Sequence, residues 1–103
     1  MIQLHGDLSV DPAKEAEMLR YFETTYRPAA EQFAGYVDLR LLKLKSAVAG
    51  SAPAGLDYRF SITYETEELR QKWVASDVHA AVWTAIEKYF TTRNYNFLLF
   101  EVI

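Results

Sequence analysis

Residues 36–64 read YVDLRLLKLKSAVAGSAPAGLDYRFSITY, and this stretch decides the fold. From Tyr36 to Lys45, Val37, Leu39 and Leu41 share one side, and Asp38, Arg40, Leu42 and Leu44 share the other. That is the period of two of a strand. The second side turns apolar near its end. From Leu56 to Tyr64 the alternation returns: Tyr58, Phe60, Ile62 and Tyr64 face one way, and Asp57, Arg59, Ser61 and Thr63 the other. Between the two runs lies SAVAGSAPAG, residues 46–55, which is small, uncharged and free of periodic apolar positions. It reads as the loop of a long hairpin, poorly ordered at its tip.

Upstream of the hairpin, Gly35 stops a helical run. Met18, Leu19, Phe22, Tyr26, Ala29, Ala30 and Phe33 recur at spacings that line one face of a helix over 13–34. Pro28 sits inside that run, so the helix kinks or restarts there. Asp11-Pro12 begins it, the Asp as cap and the Pro at the first helical position. Before that, Ile2, Leu4, Leu8 and Val10 alternate with Gln3, His5, Asp7 and Ser9 as a half-buried strand. Gly6 interrupts the apolar side, which implies close approach by another group on that face.

Downstream, Thr66-Glu67-Glu68 opens a helix with acids in its first turn, running through Leu69 and Trp73 to about Ala75. Ser76 or Asp77 caps a second segment from Val78 to about Phe90. Tyr95 to Ile103 is nearly all apolar and aromatic, and reads as a strand buried on both faces.

The order β-α-β-β-α-β predicts an α+β, ferredoxin-like domain spanning 1–103: a four-stranded antiparallel sheet with both helices on one face. Leu42, Leu44 and one side of the last strand leave the opposite face apolar, so it needs cover. A second copy related by a two-fold axis supplies it, closing a homodimeric α+β barrel.

Composition narrows the function. A chain of 103 residues accommodates one domain. It has no cysteine, which excludes disulfides, thiolate catalysis and iron–sulfur clusters. A net charge of −3 gives no basic footprint for nucleic acid. No signal peptide and no membrane-spanning run is legible, so a soluble cytoplasmic protein is expected. There is no Gly-x-Gly-x-x-Gly, no phosphate-cradling loop and no strained Ser-nucleophile turn. Two histidines, far apart and without a Glu/Asp-x-x-His pattern, make no metal site.

Two stretches carry a resemblance. Phe33-Ala34-Gly35-Tyr36 leads into the second strand, and residues 68–83, with Trp73-x-x-Ser76-Asp77-Val78 at their centre, form the second helical region. Here the chain resembles the dimeric α+β barrel superfamily, and within it the antibiotic-biosynthesis-monooxygenase-like group. The likeness covers nearly the whole chain in element order and is specific in sequence only around 33–36 and 64–83. It implies a dimeric barrel and a small oxygenase needing neither metal nor flavin. Haem-degrading members carry their iron-ligating His ten residues after the Trp that Trp73 matches; here that position is Trp83. They also carry an Asn on the first strand, where this chain has Gly6 or, in the other register, Asp7; the alternation favours Gly6. Haem degradation is therefore disfavoured, and stoichiometric haem binding is not expected. Members acting on polyketide-like aromatics rely on an Asn–Trp pair, of which only the Trp, at 73, is kept.

The candidate site residues cluster on the second helical region. His79 lies four residues before Trp83, about 40° apart on one helical face. Beside two indoles and above Tyr58, Phe60 and Tyr64, it can act as a proton-transfer group kept neutral by burial; it can equally be a capping residue of the segment that starts at Ser76-Asp77. Trp73 and Trp83 can stack a flat aromatic ligand or simply pack the core. Tyr58, Phe60, Tyr64, Phe22 and Tyr26 fall on the same side and are candidate pocket lining. A second group, His5, Asp7, Asp38, Arg40 and Arg59, falls on the sheet face away from the helices. It is either an anion site, with His5 and Arg40 beside Arg59, or a salt-bridge network inside the dimer. Two functions follow: a cofactor-independent monooxygenase of an aromatic or polyketide-like molecule, with His79 and Trp73 catalytic, or a non-catalytic dimer that binds a small apolar ligand or serves as a structural module.

Overall fold

The structure is a computed structural model describing residues 1–103. Its strands are β1 (Ile2–Leu8), β2 (Tyr36–Lys43), β3 (Tyr58–Tyr64) and β4 (Phe97–Glu101), and its helices α1 (Glu15–Tyr21), α2 (Arg27–Glu31), α3 (Glu67–Val74) and α4 (Asp77–Ile86). All strand pairs are antiparallel, in the order β2-β3-β1-β4. This is the ferredoxin-like arrangement expected from the chain order.

Local chemistry accounts for the boundaries. Asp11 accepts from the Ala13 amide at 3.0 Å and caps a turn that begins at Pro12. The long helical region does not simply kink at Pro28. Residues Phe22–Tyr26 widen into a π-helical turn, and α2 restarts at Arg27 with Pro28 in its first turn. Pro28 has no N–H for a carbonyl of the preceding turn, and the widened turn absorbs that loss. Gly35 ends the region at φ +88° with Leu69 packed against it. Thr66 caps α3 by accepting from the Leu69 amide, and Ser76 caps α4 by accepting from the His79 amide at 3.1 Å.

One buried cluster lies between the helices and the inward sheet face. It contains Leu8, Leu39, Tyr58, Phe60, Ile62 and Tyr64 from the sheet, and Met18, Phe22, Tyr26, Trp73, Val82 and Ile86 from the helical side. The opposite face carries Gln3, His5, Asp7, Ser61, Thr63 and Arg40. Leu42, Leu98 and Phe100 flank them and are about half exposed.

Two sequence expectations are corrected. Val37 does not share the inward face with Leu39. The register shifts between Tyr36 and Asp38, so Tyr36 pairs with Tyr64 while Val37 is the extra residue of a bulge and lies exposed. The last strand is not buried on both faces. It pairs only with β1 and forms the sheet edge, leaving Leu98 53% and Phe100 47% exposed. Its uniform apolarity therefore does not mark a central position in the sheet.

Candidate active site

A cavity of about 300 Å³ opens between the helical layer and the sheet. Tyr26, Phe60, Ile62 and Trp73 form its buried floor, and Leu4, Trp83, His79 and Arg70 its sides. The two most exposed lining residues, Val74 and Phe97, mark its mouth.

Helix capping places His79. With Ser76 as cap, residue 79 sits in the first turn of α4, and Trp83 follows one turn later on the same face. The imidazole lies parallel to the Trp83 indole, with planes 3° apart and centroids 6.3 Å apart. It meets Trp73 edge to face at 5.0 Å. Thus Ser76, not His79, is the capping residue; the His79 amide donates to it while the imidazole lines the cavity. Burial lowers the imidazole pKa below its usual 6.5, and the nearby Arg70 guanidinium lowers it further. At neutral pH the ring is uncharged and able to accept a proton.

Arg70 was not singled out from the sequence. Its position three residues before Trp73 puts it on the cavity side of α3. Its Nε and Nη2 bond both carboxylate oxygens of Glu67, at 2.7 and 2.5 Å, which leaves Nη1 uncommitted. Among the lining groups it is the one cation. The i, i+3 spacing of Glu67 and Arg70 was the available signal.

The remaining candidates divide. Tyr26 and Phe60 line the cavity, their rings perpendicular at 5.7 Å. Burial holds the Tyr26 phenol well above its usual pKa, so it stays protonated. Phe22, from the helical layer, and Tyr58 and Tyr64, from β3, are buried in the core but do not reach the cavity. Phe22 stacks on Tyr26 at 5.9 Å. Tyr58 donates to Glu15 at 2.9 Å on a carboxylate that Lys43 also holds; burial and that carboxylate push its phenol up to about 12. Tyr64 is fully buried, and its hydroxyl has no hydrogen-bond partner.

On the open sheet face, His5 and Arg40 stand opposite Ser61, with Arg59 the next residue on the same face of β3; burial, and then Arg59, lower the His5 pKa. Arg59 pairs with Asp7 at 3.0 Å and Arg40 with Asp38 at 2.7 Å. Both arginines of the second constellation are thus paired to carboxylates within the chain.

No group of three or more His, Cys, Asp or Glu side chains is placed to hold a metal ion. The position that the sequence resemblance assigns to an iron ligand does not fit haem: it is Trp83, and an indole N–H is a donor with no lone pair for iron.

No family model matches the sequence, and no curated protein sequence matches it. Solved structures do match, over nearly the whole chain. A candidate antibiotic biosynthesis monooxygenase from Caulobacter crescentus superposes with a TM-score of 0.78 at 17% identity, covering 99% of this chain and 89% of that one. SnoaB, a cofactor-independent oxygenase from Streptomyces nogalater, gives 0.76 at 17% identity, covering 99% and 92%. A candidate antibiotic biosynthesis monooxygenase from Bordetella bronchiseptica gives 0.76 at 16%, covering 99% and 96%. The chain therefore has the fold of the antibiotic biosynthesis monooxygenase-like proteins, as its sequence at 33–36 and 64–83 implied.

Proposed function

We propose that the protein is a cytoplasmic, homodimeric, cofactor-independent oxygenase of small phenolic aromatics. The observation that carries this reading is a neutral imidazole held between two indoles in the wall of an apolar cavity. A phenol seated there gives its proton to His79, and the uncommitted Nη1 of Arg70 stabilises the phenolate. The delocalised electron pair of the phenolate, at the ring carbon para to the oxygen, then forms a C–O bond to O₂. O₂ is reduced to a peroxide, and its distal oxygen takes up a proton. Loss of the C–H proton from the same carbon and cleavage of O–O release water and leave a quinone. For 1-naphthol the balance is one O₂ consumed, one 1,4-naphthoquinone and one water formed. The protein supplies orientation, a base and exclusion of bulk water.

The dimer belongs to the same reading. Leu42, Leu98 and Phe100 on the uncovered sheet face are the apolar surface that a second copy would bury.

Oxygen uptake by the purified protein with 1-naphthol, with the quinone followed by absorbance, tests the proposal. Uptake above the buffer rate, matched by quinone, supports it. Binding of 1-naphthol without uptake would instead identify a ligand-binding module.

A further inference from the structure

We infer that Phe97, lying over Gly6, is the size-determining wall of the cavity and restricts its occupant to about two fused rings. The inference rests on the cavity described above as the ligand site, and it concerns binding rather than turnover.

Gly6 and Phe97 are cross-strand partners on the inward face. A Cβ built on Gly6 would collide with the Phe97 ring at Cδ1 and Cε1. The missing side chain on β1 is thus the space in which the ring lies. From that seat the ring reaches Trp83, 5.7 Å away and tilted by 63°, and closes one side of the cavity mouth. The other large rings of the wall belong to β3 or to the helices. Phe97 alone comes from the edge strand; it is 42% exposed and held by Gly6 beneath it, Trp83 of α4 and Tyr95, 5.2 Å away.

Size follows from volume. An apolar cavity of about 150 Å³ accepts one benzene ring. The present cavity, at about 300 Å³, has room for roughly twice that. A bicyclic phenol fills it, while a third linear ring meets Phe97. Removing the Phe97 side chain extends the cavity past β4, and adding a methyl at Gly6 drives the ring inward.

Equilibrium dialysis under anaerobic conditions with 1-naphthol and 1-anthrol tests this. The parent is expected to bind 1-naphthol at least about tenfold more tightly than 1-anthrol, the scale on which pockets discriminate steric excess. Phe97→Ala should bring the two within about threefold, chiefly by tightening 1-anthrol. Gly6→Ala should weaken 1-naphthol about tenfold or more, and the double variant Gly6→Ala/Phe97→Ala should recover that loss, because no ring remains to be displaced. Recovery in the double variant also separates displacement of Phe97 from damage to the strand. Equal binding of both probes by the parent, an unchanged ratio in Phe97→Ala, a Gly6→Ala loss that persists in the double variant, or no binding of 1-naphthol would overturn the inference. Tight 1-naphthol binding with the expected ratios but no oxygen uptake would overturn the oxygenase proposal alone.

Discussion

The imidazole of His79 and the indole of Trp83 lie in nearly parallel planes, 3° apart with centroids at 6.3 Å, one helical turn from each other on α4. The same imidazole meets Trp73 edge to face at 5.0 Å and lines the cavity, so the cap at Ser76 sets the ring where the proposed chemistry needs it.

Acid pH should reveal this burial. The folded pKa of His79 lies below 6.5 because burial, and then Arg70, disfavour the charged ring. The folded state is at full strength with respect to this group above the unfolded value, near 6.5. It loses stability as pH falls from there through the lower folded value, since the unfolded chain takes up the proton first. Oxygen uptake should show an acid limb with its midpoint below 6.5, where the base becomes protonated. His79→Gln should remove the His-dependent part of the acid loss in urea unfolding between pH 7 and 5. An acid limb centred above 6.5 would contradict the assignment.

Trp73 is 1% exposed, yet one of its surfaces lines the cavity. Trp73→Ala should therefore destabilise by about 3 kcal/mol, the low end for truncating a buried aromatic, and weaken 1-naphthol binding about tenfold. Denaturant unfolding and dialysis check both. A loss above about 5 kcal/mol with unchanged binding would mean that Trp73 serves the core alone.

The Tyr64 hydroxyl is buried without a partner. Removing an unsatisfied polar atom relieves a desolvation penalty, so Tyr64→Phe should be neutral or stabilise by about 1 kcal/mol and leave ligand binding unchanged. Destabilisation on thermal and urea unfolding would reveal an interaction of that oxygen with a buried water.

Phe100 stands beside His5 on the uncovered sheet face, ring centroids 4.9 Å apart. A buried interface of obligate type, roughly 2,000 Å² in total, should form there. Sedimentation at micromolar concentration should give a dimer for the parent and a monomer for Phe100→Lys, because a lysine cannot be buried unpaired. A monomeric parent would end the dimer proposal.

Much of this architecture was legible in local chemistry. Asp11-Pro12, Ser76 and Gly35 mark helix ends through backbone rules that need no tertiary context. Gly6 signalled a close approach, but not that Phe97 was the group approaching, since the β1–β4 pairing joins residues about ninety positions apart. The bulge at Val37 and the exposure of β4 depend on strand order and cover. An apolar run reads the same whether it is enclosed or waits for a partner. Arg70 escaped notice because a charged residue three positions from another on a helix usually forms a solvated pair. Only the cavity beneath α3 makes it a site residue. Conversely, Tyr58 and Tyr64 share the alternation of Phe60 and Ile62 on β3 but not their position along the sheet, and Phe22 shares the helical face of Tyr26 one turn away; side-chain period alone carries no such depth information.

Steady-state oxygen uptake at saturating 1-naphthol, compared between the parent and His79→Ala, tests the central claim most directly. The account predicts one O₂ consumed per quinone in the parent, and a rate about 10²–10⁴ lower in the variant at pH 7, the range for losing a positioned general base, with 1-naphthol affinity within about threefold because the indoles that hold it remain. A His79→Ala rate equal to that of the parent, or a parent rate no faster than buffer, would contradict it.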